Sequence, residues 1–175
     1  RDTVEMLYKN GAQIIQKPFS VGARIEHPQK LIDKAQYGAF AGHPKLGAAD
    51  YKLSCHGLHQ RGAYTFCMCP GGTVVAAASE KGSVIVNGMS TLARDGENAN
   101  SALLVGIDPV DFPSEHPLAG MYYQREIEQN AFALGGGDYR APAQLVGDFL
   151  ADRESRALGN VQPTCPTGVT LTNLR

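Results

Sequence analysis

A chain of 175 residues has the length of one ordinary domain, and a globule of that size buries roughly 70% of the surface its unfolded chain exposes, so a core forms without staples. Its 16 Lys and Arg against 17 Asp and Glu leave a net charge of −1, which excludes a broad basic face for nucleic acid and a strongly acidic one. No apolar run approaches the roughly 18 residues of a membrane span, and 4 unevenly spaced Cys do not make a disulfide framework, so the sequence reads as soluble and cytoplasmic.

The chain opens Arg1-Asp2-Thr3 with neither an initiator Met nor a signal segment, and so reads as an interior piece of something longer. Asp2 with Glu5 has the spacing of a capping box, and Val4, Leu7 and Tyr8 share a face until Gly11, which predicts a helix of about two turns. Strict alternation from Phe19 to His27 predicts a strand, with Phe19, Val21, Ala23 and Ile25 on one face and Ser20, Gly22, Arg24 and Glu26 on the other. Pro28 then starts a short amphipathic helix through Leu31, Ile32 and Ala35, closed by Gly38.

After a loop around Gly42, Pro44 and Gly47, Ala49 to Cys55 resumes a strand pattern. Ala63 to Cys69, Thr73 to Ser79 and Ser83 to Asn87 follow as three strands, read as an antiparallel meander. Ser101 to Ile107 is apolar on both faces, the mark of a central, buried strand. Ala119, Tyr123, Ile127, Ala131 and Leu134 recur at helical spacing over Pro117 to Leu134, with Glu126 and Glu128 off the stripe and Gly135-Gly136-Gly137 as the stop. A last helix is predicted from about Pro142 to Arg153, with Leu145, Val146, Phe149 and Leu150 inward, followed by an irregular tail. The fold class implied is α+β: a mainly antiparallel mixed sheet, partly barrel-like, with three to four helices. Residues 1–158 form the domain and 159–175 a linker.

Few motifs carry chemistry. Gly135-Gly136-Gly137 is the nearest approach to a dinucleotide fingerprint, but it follows a helix instead of opening one, and Arg140 stands where the last glycine belongs. Cys67 and Cys69, two apart in a predicted strand, place both thiols on one face, and Pro70-Gly71-Gly72 lets backbone approach a ligand closely. The pair suits a ligand-facing surface and equally suits small buried apolar side chains. Cys55, His56 and His59 are near enough in sequence to join Cys67 and Cys69 in a zinc site, although the spacing is not that of a finger or knuckle. Cys67 or Cys69 paired with a His would make a nucleophile, yet no third, orienting residue suggests itself.

Arg24, Glu26 and His27 at the end of the first strand form a compact cation, carboxylate and imidazole cluster, suited to anion binding or to a surface ion pair. Asn87, Ser90, Arg94, Asn98 and Asn100 supply amides and a cation between two strands, as turn formers or as a polar pocket wall.

Taken in order, Lys17-Pro18-Phe19, Gly22 to Gln29 (GARIEHPQ), Phe66-Cys67-Met68-Cys69-Pro70-Gly71-Gly72, Asn87-Gly88-Met89-Ser90, Asn98-Ala99-Asn100-Ser101 and Ala141-Pro142-Ala143-Gln144 resemble the bacterial FAD-dependent dehydrogenases of undefined substrate, relatives of the wider FAD/NAD(P)-binding oxidoreductases. The resemblance covers nearly the whole chain. It implies a substrate or cap domain inserted in a Rossmann-type FAD protein, inactive alone, with FAD bound in the full-length parent and none expected in this piece. The missing FAD-binding domain and a small-molecule substrate would be its partners. Within that frame the residues themselves suggest Cys67, Cys69, Gly71 and Gly72 as neighbours of the cofactor and Arg24, Glu26, His27, Asn87, Ser90, Arg94 and Asn100 as the substrate-facing set, with no catalytic residue assigned and no metal expected. The alternative is a Cys/His zinc-stabilised interaction module, carried by Cys55, His56, His59, Cys67 and Cys69.

Overall fold

The structure, a computed structural model, describes residues 1–56 and 61–175. Among these the elements run α1 (Asp2–Lys9), β1 (Phe19–Pro28), α2 (Gln29–Tyr37), β2 (Ser54–His56), β3 (Gly62–Cys69), β4 (Gly72–Ala76), β5 (Val86–Ser90), β6 (Asn98–Ile107), α3 (Ala119–Leu134), β7 (Ala141–Ala143), α4 (Val146–Leu150) and β8 (Val169–Leu171). The class is α+β. An antiparallel sheet in the order β1-β6-β3-β2 stays open instead of closing into a barrel, beside a β4-β5 hairpin and a parallel β7-β8 pair.

The alternating strand at β1 and the amphipathic helices α2 and α3 form where periodicity places them. The meander does not. β4 pairs with β5 as expected, but β3 pairs with β2 and β6 and never with β4. The cause is local: Cys67 takes φ 51° and Gly71 φ 53°, so the chain bulges out of the sheet at Cys67 and turns away at Gly71. β6, ten residues long, fills the place between β1 and β3.

β6 is central but not buried throughout. Leu103 is 47% exposed, whereas Asn98, Asn100 and Ser101 are buried at the polar end. The apolar core is split. Ile107, Phe112 and Ala119 pack with Phe19, Val21 and Tyr123, with the Phe19 and Phe112 rings stacked at 5.4 Å. A second cluster joins Val74, Val84, Ala141 and Cys165 to Ala131, Phe132 and Val169.

Two further expectations are corrected, and the tail gains detail. Asp2 is the first residue of α1 and not its cap, because Arg1 holds that place without a side-chain bond. The final helix shrinks to α4, its first residues being taken by β7, and its apolar side chains stay exposed. The tail, without periodicity in sequence, carries β8 and bonds back through Thr164 to Glu26 and through Gln162 to Asn98.

Glu128, off the apolar stripe of α3, is nonetheless only 6% exposed because Arg1 bonds it. Arg1 also reaches Glu80 at 3.1 Å, and Arg125 joins Glu80 at 2.9 Å to Glu5 at 3.0 Å, which ties α1 and α3 to the β4-β5 loop. Hydrogen bonds from Arg125 and then Arg1 hold the Glu80 carboxyl at about 2 against an ordinary 4.5. A carboxyl depressed on folding contributes stability that is complete above its unfolded pKa and is lost as pH falls through the folded one. Acid titration of Glu80→Gln is therefore expected to show less loss of stability between about pH 4.5 and pH 2 than the parent sequence does, and superimposable acid limbs would contradict it.

The described chain exposes 11602 Å² for 18.7 kDa. A self-contained monomer of this mass exposes about 8,300 Å². Large apolar side chains such as Phe66, Met89, Phe40 and Leu150 contribute to the excess. No helix among the described residues is long and apolar enough to cross a membrane.

Candidate functional site

The register of β1 on β6 and of β3 on β6 gathers a polar cluster at one end of one sheet face. Arg24 lies opposite Ala102, Glu26 opposite Asn100, and Cys69 resumes pairing opposite Asn100 once the bulge has passed. Because two residues, Cys67 and Met68, face the single Ser101, Phe66 and Cys69 share a face, and the regular alternation that would align the two thiols is broken. Cys67 is exposed and Cys69 buried. An L-residue at positive φ costs about 1–3 kcal/mol and persists where its surroundings over-determine it.

The Arg24 guanidinium is the hub. Nη1 donates to Asn100 Oδ1 at 2.7 Å and to the Cys67 carbonyl at 3.4 Å, and Nη2 donates to Asn87 Oδ1 at 3.3 Å. All three acceptors are neutral. Among the described residues no carboxylate lies within 4.0 Å of this half-buried cation, whose neighbour Glu26 is engaged by Asn98 Nδ2 at 3.0 Å and Thr164 Oγ1 at 2.5 Å. Gly88 makes the cluster possible, since a Cβ there would stand 2.2 Å from Asn100 Oδ1, 2.5 Å from Arg24 Nη1 and 2.9 Å from Cys69 Sγ. β5 is thereby laid directly on the site.

Among the described residues, two buried donors in the cluster, Arg24 Nε and Asn100 Nδ2, have no partner. Each such group costs about 1–3 kcal/mol, and a native domain keeps few of them. Burial pushes the Cys69 thiol pKa up, the Cys67 thiol adds to the rise, and the Arg24 charge opposes it.

The other residues named from sequence are dispersed. His27 lies on the opposite sheet face, its Nε2 sharing a 2.8 Å hydrogen bond with the Tyr51 hydroxyl and its buried Nδ1 without a partner among the described residues. Burial raises the Tyr51 pKa, which Ser101 and the Arg24 charge pull back. Ser90 Oγ donates to the Pro70 carbonyl at 2.8 Å, and Arg94, exposed and at φ 52°, covers Gly71 with its own backbone. Cys69, Pro70, Gly71 and Gly72 are buried, and the Gly71 amide donates to Gln29 Oε1 at 2.8 Å. The close approach that these glycines serve in this chain is thus to Met89 and Arg94 backbone, while Phe66 and Cys67 form the open part of the turn.

Sequence reasoning passed over Tyr51, Gln29 and Gly88. Gln29, 5% exposed, bonds the Ala49 carbonyl and Asp33 as well as Gly71, and its place at the end of the His27-Pro28-Gln29 run was the available signal. Nothing local marks Tyr51. Among the described residues no three His, Cys, Asp or Glu side chains are grouped to hold a metal, and His59 of the zinc alternative lies outside them. No described His is hydrogen-bonded to Cys67 or Cys69.

An uncharacterized protein of Clostridium beijerinckii is 54% identical to this chain over 176 residues, a match that covers 100% of the chain and 33% of the relative. The chain therefore spans about a third of that relative's length. The family model described as FAD-dependent protein, C-terminal domain-like matches residues 18–175, and the chain belongs to that family.

Proposed function

We propose that this chain is the substrate-side cap of an FAD-dependent dehydrogenase, and that the Arg24, Asn87, Asn100 and Cys67 cluster is the edge it turns toward flavin and substrate. The observation that carries the reading is the half-buried Arg24 cation, held by neutral acceptors alone, beside buried donors without partners. Such a donor-rich wall fits the acceptor-rich edge of a flavin ring or an anionic substrate. It does not fit the pyrophosphate half of FAD, for which the chain has no glycine fingerprint.

Bound FAD supplies two-electron, hydride-accepting chemistry. The chain's own part is positioning. Asn100 and Asn87 fix the guanidinium plane, so its charge is aimed before ligand arrives and needs no reorganisation. Phe66 and Met89, each 61% exposed, offer apolar surface that excludes water when the domains close. Cys67 presents a thiol at the rim, and the backbone of Cys69 to Gly72 forms the rigid floor beneath it.

The full-length protein is expected to be yellow as purified, or to become so with added FAD, and to hold one FAD per chain. A full-length protein that stays colourless with excess FAD would sink the proposal.

A further inference from the structure

β7 and β8 run parallel, Ala141 beside Val169 through Ala143 beside Leu171, and the crossover between them carries α4. Strand, helix and parallel strand make a βαβ unit. Parallel strands occur almost only in larger sheets covered on both faces, and a two-stranded sheet is marginal in water.

Several features mark the unit as unfinished. Bonds from Ala141 N to the Gly168 carbonyl (3.1 Å) and from Thr172 N to the Ala143 carbonyl (3.0 Å) set the phase of the ladder. Thr170 turns its backbone groups to β7, and Val169 and Leu171 turn theirs outward. Among the described residues the Val169 N–H, the Leu171 N–H and the Leu171 carbonyl meet no partner. The Val169 carbonyl accepts from Arg140 Nε and Nη2 at 3.2 and 2.6 Å, and retains a second lone pair.

The outer edge of β7 holds Pro142, which has no N–H to give, so β8 is the edge that can pair. A groove of about 690 Å³ runs beside it, lined by Val169, Leu171, Arg140, Leu158 and Pro163 among others. The crossover helix is uncovered too: Val146, Phe149 and Leu150 of α4 are 53, 40 and 71% exposed, where a helix of this kind ordinarily buries its apolar side on its sheet.

We propose that β8 pairs, in the full-length protein, with a strand from the polypeptide outside these 175 residues, so that β7-α4-β8 is an edge unit of the FAD-binding sheet. The chain spans a third of its longer relative, which is the ground for expecting further polypeptide to supply that strand, and the surface to receive it is the excess over a self-contained monomer. Ala141, Val169 and Cys165 anchor the unit to the core of this chain, making it the seam between two domains. Ligands of open parallel sheets bind beyond the carboxyl ends of the strands. There stand Gln144 and Asn173, joined by a 3.3 Å bond, with Gln144 Oε1 also accepting from Leu174 N at 2.9 Å.

The inference rests on the FAD reading above, and one sample separates the two. Amide hydrogen exchange is followed in the full-length protein at two concentrations, with its visible spectrum recorded alongside. The Val169 and Leu171 amides are expected to exchange at least about a hundredfold slower than free peptide, equally at both concentrations. Unprotected amides in a flavin-bearing sample overturn the sheet pairing and leave the cap reading standing. A sample that takes up no FAD overturns the cap reading, and with it the identity of the sheet. Protection confined to high concentration assigns the edge to a second copy and overturns the proposal.

Discussion

Gly71→Ala is expected to cost at least about 3 kcal/mol of stability, more than any surface substitution in the chain. At φ 53° an alanine carries the left-handed penalty of about 1 kcal/mol by itself. The larger part is contact: the new Cβ would stand 2.0 Å from the Arg94 carbonyl oxygen, 2.2 Å from its carbon and 2.8 Å from Asp95 N. Those are backbone atoms and cannot swing aside as a side chain would. Relief requires moving the loop at Arg94, which breaks the Gly96 N–H bond to the Gly71 carbonyl at 3.2 Å and strains the Gly71 bond to Gln29. Gly82→Ala is the control, since Gly82 has φ 69° but nothing within 4 Å of the added carbon. Urea titrations of the two variants in the full-length protein separate the terms, and equal losses would mean that the Gly71 contact carries nothing.

Local pattern made β1, α2, β6 and α3 legible, because the two helices have at least two turns each, β1 a full alternation and β6 a continuous apolar run. What it missed depends on pairing at a distance. β7 and β8 have three residues each, and Ala141-Pro142-Ala143 carries no strand signal until Val169 to Leu171 lies beside it. The meander failed for a different reason. A bulge at Cys67 needs a non-glycine residue at positive φ, which no turn rule anticipates. At the site, Arg24, Asn87 and Asn100 were readable as polar residues at strand ends, and the structure brings these three together with Cys67. His27 departs because successive strand residues alternate faces, and Glu26 departs because Thr164, 138 residues away, engages its carboxylate.

Arg24→Met is the variant on which the account depends. It removes the hydrogen-bond donor to Asn100 Oδ1, Asn87 Oδ1 and the Cys67 carbonyl, leaving the fully buried Asn100 amide without any partner. A destabilisation of about 1–3 kcal/mol follows from that alone. Arg24→Lys keeps the charge and gives up the planar fork. If the cluster faces the flavin, the charge also stabilises the reduced, more negative form of the ring, and its loss lowers the two-electron midpoint potential. The most direct measurement is a spectroelectrochemical titration of FAD in the full-length protein, its Arg24→Met variant and its Arg24→Lys variant. The account predicts a fall on the order of 30 mV for Met, equivalent to about 1.4 kcal/mol, with Lys close to the original. A potential that is the same in all three, with FAD still bound, would contradict it and turn the Arg24 edge away from the flavin.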